Sequence, residues 1–271
     1  MRACTLLACL LVLLPGIAAA QLRAQAPTVL ITGANRGMGL ELARQYAQAG
    51  WNVIATSRRA PEDPGLAALR SLAARHPQVV IERIDVTDTA MIRAVAHKYA
   101  SQPIDVLINN AAAVEDTFAA DMQAARVPYD RIDFDAARHD FDVNTLGPMR
   151  MVQAFEPSIE RSQQKKIANI TSLAGSFGRG LPGALAMNYS ASKAALNKYM
   201  VMLAYALTPK GVSVGLFEPI FVATKRDMSP QMRARAPLAG EVGKLIAQID
   251  ALTPATSGRI VNFTTGKIDP F

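Results

Sequence analysis

The chain has 271 residues, 50% of them hydrophobic and 19% charged, which suits one globular α/β domain and excludes a disordered or low-complexity chain. The formal net charge is +7, but no run reaches five or six like charges, so nucleic acid is not an expected partner and phosphorylated small molecules account for the balance. Both cysteines, Cys4 and Cys9, fall at the N-terminus and His76, His97 and His139 lie far apart, which leaves no disulfide, cysteine nucleophile or metal site to expect in the body.

Residues 1–20 read as a secretory signal peptide. Arg2 supplies the positive start, Leu6 to Ile17 is nearly all apolar, and Ala18-Ala19-Ala20 precedes Gln21. Pro15-Gly16 breaks the apolar run, which is too short to span a membrane comfortably. The mature chain is therefore expected to be exported, to a bacterial periplasm, with no stable membrane span; a non-functional leader would leave it cytoplasmic. Residues 21–27 form a short linker and residues 28–271 a single domain.

Thr28-Val29-Leu30-Ile31-Thr32 is a short apolar run rich in β-branched residues, read as a buried strand. Gly33-Ala34-Asn35-Arg36-Gly37-Met38-Gly39 follows, and Leu40, Leu42, Ala43, Tyr46 and Ala47 then repeat at helical spacing up to Gly50. Further strands are predicted at 52–56, 79–84, 104–109, 166–171, 213–217 and 258–263. Helices are predicted at 66–75, at 90–99, at 134–162 with a break near Gly147-Pro148, after Asn188, and from about 239. Strands and helices alternate from end to end. That alternation predicts a single Rossmann-type, doubly wound α/β domain, a seven-stranded parallel sheet with helices on both faces.

In such a sheet the ligand lies beyond the carboxyl ends of the strands. Gly33, Gly37 and Gly39 let the backbone turn sharply and approach a pyrophosphate, and the following helix N-terminus offers unpaired N–H groups. The end of the second strand, Thr56-Ser57-Arg58-Arg59, has no carboxylate to bind ribose hydroxyls. Arginine there, with Arg36 in the glycine turn, suits a 2′-phosphate, so NADP(H) is preferred and NAD(H) is the alternative. Tyr189 and Lys193 stand four apart at the start of a helix, hence on one face. A close cation favours a phenolate, which makes the pair a candidate acid/base device.

Thr32-Gly33-x-x-x-Gly37-x-Gly39, Asp85-Val86, Asn109-Asn110-Ala111, Asn144, Ser172 and Tyr189-x-x-x-Lys193 resemble, in order and spacing, the short-chain dehydrogenase/reductase family. Leu30 to Gly37, Val143 to Pro148 and Ala191 to Asn197 look most like its C-factor and sniffer-type carbonyl reductases. The resemblance implies that Tyr189 is the acid for reduction and the base for oxidation, and that Lys193 lowers its pKa and hydrogen-bonds the nicotinamide ribose. Ser172 would bind the substrate oxygen, and Asn144 would hold a water in a proton relay. Asn35, Arg36, Met38, Ser57, Arg58 and Arg59 would join the three glycines in holding the dinucleotide. Asp85 and Val86 would flank the adenine, and Asn109, Asn110 and Ala111 the ribose side. Pro219, Val222 and Thr224 would reach the carboxamide or pyrophosphate. Read from the residues alone, Ser172 could instead cap a turn, and Asn144 could tie helix to strand at a kink.

Three places depart from the family pattern: Ala112 where glycine is usual, Pro219-Ile220 followed by Phe221 where Pro-Gly is usual, and a longer segment from Val114 to Ile132. The expected pocket walls, 112–118, 173–187 and 219–228, are mostly apolar, with Phe177, Leu181, Leu185, Met187 and Phe221 prominent and Arg179 as a candidate for an acidic group. The expected function is NADP(H)-dependent hydride exchange with a small apolar carbonyl or alcohol. The rival is an exported nucleotide-binding signalling or structural protein on the same fold. The resemblance implies a homodimer or homotetramer.

Overall fold

Eight short strands, β1 (Thr28–Ile31), β2 (Asn52–Ser57), β3 (Val79–Arg83), β4 (Val106–Asn109), β5 (Lys166–Ile170), β6 (Ser213–Glu218), β7 (Ile260–Asn262) and β8 (Lys267–Asp269), form one sheet in the order β3-β2-β1-β4-β5-β6-β7-β8. The computed structural model describes residues 22–113, 129–178, 186–219 and 237–269. The leader, most of the long segment after Val114, the wall holding Arg179, Leu181 and Leu185, and the loop holding Ile220, Phe221, Val222 and Thr224 lie outside the described residues.

Strands β1 to β7 are parallel, and every residue of β1, β2, β4 and β6 is buried, as continuous apolar runs covered on both faces require. The eighth strand was not expected. Asn262 Oδ1 accepts from the Thr265 amide at 3.1 Å and Gly266 takes a φ of 72°, so the chain folds back and β8 pairs antiparallel with β7. Lys267-Ile268-Asp269 carries too little apolar pattern to announce a strand, and Ile268 is 57% exposed.

One face of the sheet is packed by α1 (Gly37–Gln48), α2 (Ala67–Arg75) and α7 (Leu238–Asp250), through Leu42, Tyr46, Leu69, Leu72, Val242 and Leu245. The other is packed by α3 (Thr89–Lys98), α5 (Gly147–Glu160) and α6 (Met187–Leu207), through Ile92, Val95, Val152, Phe155, Leu196 and Met200. Strand order reverses between β1 and β4, so their carboxyl ends frame the crevice.

The long helix expected over 134–162 is split. Helix α4 (Phe134–Phe141) runs into a π-helical turn (Asp142–Leu146) before α5 begins. The glycine after the turn lets it press on the end of β3: a methyl built on Gly147 would lie 2.9 Å from Val86 Cγ2. At the amino ends of the central strands, just before β4, Asp105 takes the place of a ladder partner. Its carboxylate, in a residue only 6% exposed, accepts from the amides of Thr28 at 2.9 Å, Gln163 at 3.2 Å and Gln164 at 3.3 Å. Asp105→Ala strands these three N–H groups and is expected to cost about 2–3 kcal/mol, read from the urea midpoint at unchanged m-value.

Candidate active site

The site begins where β1 ends. Thr32 Oγ1 accepts from the amides of Asn110 and Ala111, both at 3.0 Å, and Asn110 Nδ2 donates back to Thr32 O at 2.8 Å and Gly33 O at 3.3 Å. The ends of β1 and β4 are thereby pinned together at the point where their chains part. Gly33, at φ 67°, passes so close to Ala111 that a side-chain carbon would lie 3.0 Å from its Cα. A methyl on Gly39 would sit 2.3 Å from Gly33 O and 2.6 Å from Asn110 Nδ2, so helix α1 can start here only on glycine. Gly37 opens that helix at φ 54°. Its N-cap residue, Arg36, makes no side-chain cap, and no acid stands in the first turn. The helix N–H groups and positive dipole end are therefore left for an anion, which is what a pyrophosphate requires. Asn35 lies in the turn, and Met38 packs sideways on the core.

At the end of β2, Ser57 is buried and its Oγ accepts from the Arg59 amide at 3.3 Å. Arg58 and Arg36 are exposed and have no ion pair among the described residues. Arg59 is engaged: its guanidinium reaches both carboxylate oxygens of Asp63, at 3.0 and 2.9 Å. Asp85, after β3, accepts from Thr87 N at 3.0 Å and Thr87 Oγ1 at 2.8 Å. Burial pushes its carboxyl up, but these two donors, with the Arg58 charge, hold it below the usual value. Val86 is buried against Gly147. The predicted cofactor residues of the first three strand ends thus line one rim, and Pro219 ends the described part of the rim beyond β6.

Tyr189 lies in the first turn of α6 and Lys193 one turn on. The Tyr189 hydroxyl is hydrogen-bonded to Ser172, just past β5. Burial raises the phenol's pKa, the Ser172 bond works against that, and the nearby Asp140 charge adds to it. Lys193 is 3% exposed, donates to Ile170 O at 2.8 Å and stands 5.7 Å from the centre of the Tyr189 ring. Burial brings its pKa down to about 8. Desolvation thus acts on both groups, in opposite directions. Ser172 combines its two readings: it meets Tyr189, and its Oγ also caps the turn Leu173–Gly175 by accepting from Ala174 N at 3.2 Å. That turn presses on α6, since a methyl on Gly175 would lie 2.7 Å from the Lys193 carbonyl carbon.

Asn144 is fully buried in the π-turn. Its Oδ1 accepts from Ala113 N at 2.8 Å, and its Nδ2 donates to Ala113 O at 2.9 Å and Ser192 Oγ at 3.0 Å. The tie from helix to strand is thus present. Both amide protons are committed to protein atoms, so the side chain acts as a bracket in this structure. Thr32, Thr145, Ser192 and Asn197 lie within the motif stretches, but the motifs assign them no role. A hydroxyl three residues after Tyr189, on the buried side of its helix, is the signal by which Ser192 could have been found.

Residues 27–234 match the family model of the short chain dehydrogenases. The chain belongs to the short chain dehydrogenase family. 1-Hydroxy-2-glutathionyl-2-methyl-3-butene dehydrogenase of Rhodococcus sp. (strain AD45) is 30% identical over 234 residues, 86% of this chain and 94% of that protein. C-signal of Myxococcus xanthus is 32% identical over 172 residues, 64% of this chain and 96% of that protein. The solved structure of NADPH-bound carbonyl reductase from chicken fatty liver superposes with a TM-score of 0.79 at 26% identity, covering 91% of this chain and 99% of that one. This short chain dehydrogenase is accordingly an NAD(P)-dependent oxidoreductase of CH–OH and C=O groups, on the side of the family that holds C-signal and the carbonyl reductases.

The buried lysine gives a pH signature. Unfolded, Lys193 keeps its ordinary pKa of 10.5; folded, it titrates at about 8. Between those values the unfolded chain holds a proton that the folded one lacks, so stability rises with pH there, and below about 8 the full cost of burying the charge is present. Against Lys193→Met, which has no such group, the cofactor-free wild type is expected to gain on the order of 2–3 kcal/mol from pH 8 to 10.5, measured by denaturant unfolding of both proteins.

Proposed function

We propose that the protein is an NADP(H)-dependent carbonyl reductase in which Tyr189 delivers the proton. The observation that carries this reading is the Tyr189–Ser172 hydrogen bond, set beside buried Lys193 at the carboxyl end of β5. The chemistry a bound nicotinamide supplies is hydride transfer at a carbonyl carbon. What this chain must then do is protonate the oxygen as negative charge develops on it. Burial raises the phenol's pKa, so Tyr189 holds its proton at neutral pH and can give it up only to a stronger base, the forming alkoxide. Ser172 presents its hydroxyl to the same oxygen and orients it. Lys193, charged below about pH 8, stabilises the tyrosinate left behind.

The preference for NADP(H) is supported by the absent acid after β2, by exposed Arg36 and Arg58, and by the NADPH bound to the carbonyl reductase from chicken fatty liver. A small apolar substrate is supported by Leu173, Met187 and the 88% exposed Phe177 on the segments flanking Ser172 and Tyr189.

Tyr189→Phe is expected to lower kcat for NADPH-dependent reduction of a ketone, aldehyde or quinone by about 10²–10⁴-fold. NADPH binding, followed by fluorescence titration, should persist; an active variant would remove Tyr189 from the role. Arg58→Ala is expected to weaken NADPH by about tenfold and NADH hardly at all, since only the former offers the 2′-phosphate to a charge-assisted bond. Equal losses with both dinucleotides would count against the assignment of the phosphate site.

A further inference from the structure

Helix α6 carries the proton donor in its first turn, and that turn starts without the usual support. The N-cap residue, Ala186, is left-handed at φ 47° and offers no side chain to the orphan N–H groups. Helix ends built this way fray. Yet a proton donor must be held within hydrogen-bond reach of its acceptor, about 2.6–3.2 Å. Side-chain bonds must hold the turn, beyond those of Tyr189 to Ser172 and of Asn188 Nδ2 to Asp133 O at 3.5 Å.

Ser192 is placed to do so. It is fully buried, three residues beyond Tyr189. Its Oγ donates to Tyr189 O at 2.7 Å and accepts from Asn144 Nδ2 at 3.0 Å. Its own carbonyl accepts from Thr145 Oγ1 at 2.8 Å. Two successive residues of the π-turn therefore grip one residue of α6 from both its side chain and its backbone. Asn144 is held in turn by the amide and carbonyl of Ala113, just beyond β4. The contacts run unbroken from the crevice at β4, through Asn144 and Ser192, to the backbone of Tyr189.

We propose that Ser192 is a positioning residue for the reaction: it carries the bracket of Asn144 to the Tyr189 backbone and so sets where the phenol hydroxyl stands, touching neither substrate nor cofactor. This rests on the reading of Tyr189 as the proton donor. Ser192→Ala removes both side-chain bonds and leaves one Asn144 N–H buried without a partner, so the fold loses some stability for that reason alone. The decisive readouts are therefore kinetic.

In Ser192→Ala, kcat for carbonyl reduction is expected to fall about tenfold to a hundredfold, as a small misplacement of a reacting group does. The Kd for NADPH should stay within about threefold, and the solvent deuterium isotope effect on kcat should grow as proton transfer becomes slower. A folded variant with kcat within about twofold of wild type, an unchanged isotope effect, or a loss of NADPH affinity matching the loss of kcat would each overturn the proposal. Should Ser192→Ala melt below the assay temperature, Thr145→Val tests the same bracket, since it removes only the bond to the Ser192 carbonyl. A smaller fall in kcat with the same isotope signature is then expected, and unchanged kinetics overturn the proposal. Tyr189→Phe in the same assay separates the two levels. Activity in that variant defeats the proton-donor reading itself. An inactive Tyr189→Phe beside a fully active Ser192→Ala defeats only the role of Ser192.

Discussion

A single threonine hydroxyl holds the crevice in shape. Strands β1 and β4 lie side by side and Thr32 N still donates to Ile108 O at 3.0 Å, but the chain leaves them toward opposite faces of the sheet, and the amides just past β4 turn to a side chain. Thr32 Oγ1 takes two of those amides, from Asn110 and Ala111, and the Asn110 side chain returns a bond to Thr32 O. With these groups satisfied, the backbone around Gly33 and Gly39 can close to distances that exclude any side chain. The start of α1 then faces the crevice with its N–H groups unclaimed. Everything that would hold the cofactor follows from that one junction, because a buried amide without a partner would otherwise cost on the order of 1–3 kcal/mol.

Across the crevice the controlling term is desolvation. Tyr189 and Lys193 are both displaced from their ordinary pKa values by burial, in opposite directions: the phenol is held protonated and the ammonium is brought to about 8. Burial therefore sets the two groups apart in proton affinity although they stand one turn apart on one helix, without requiring the lysine to touch the phenol oxygen. The lysine is kept from being an orphan by the carbonyl of Ile170, the last residue of β5. A site arranged this way gives up stability for reactivity, and the fold offsets the loss elsewhere with buried brackets such as Asp105 and Asn144.

Much of this was legible along the chain. Fully buried parallel strands are continuous apolar runs, so β1, β4 and β6 stood out, and Gly33, Gly37 and Gly39 marked the cradle by position alone. The Gly147-Pro148 break announced an interruption of the long helix, although not that it would take the form of a π-turn. Strand β8 was missed because an edge strand of three residues, half in water, needs no hydrophobic pattern. Arg59 and Arg58 read alike in the sequence, but Arg59 also meets Asp63, four residues on, and only a folded turn brings those two together.

The sequence by itself determined the order of strands and helices, the glycine turn, the missing acid after β2 and the residue types of the catalytic set. Periodicity and backbone sterics act locally, and a linear text records them. The tertiary structure alone decided what each of those residues is bonded to. Asn144 became a bracket and Ser192 its link to Tyr189 because β4, the π-turn and α6 converge there from three distant parts of the chain. The protonation of Tyr189 and Lys193 was likewise decided by burial, which depends on what folds over a group and leaves no mark on its neighbours in sequence.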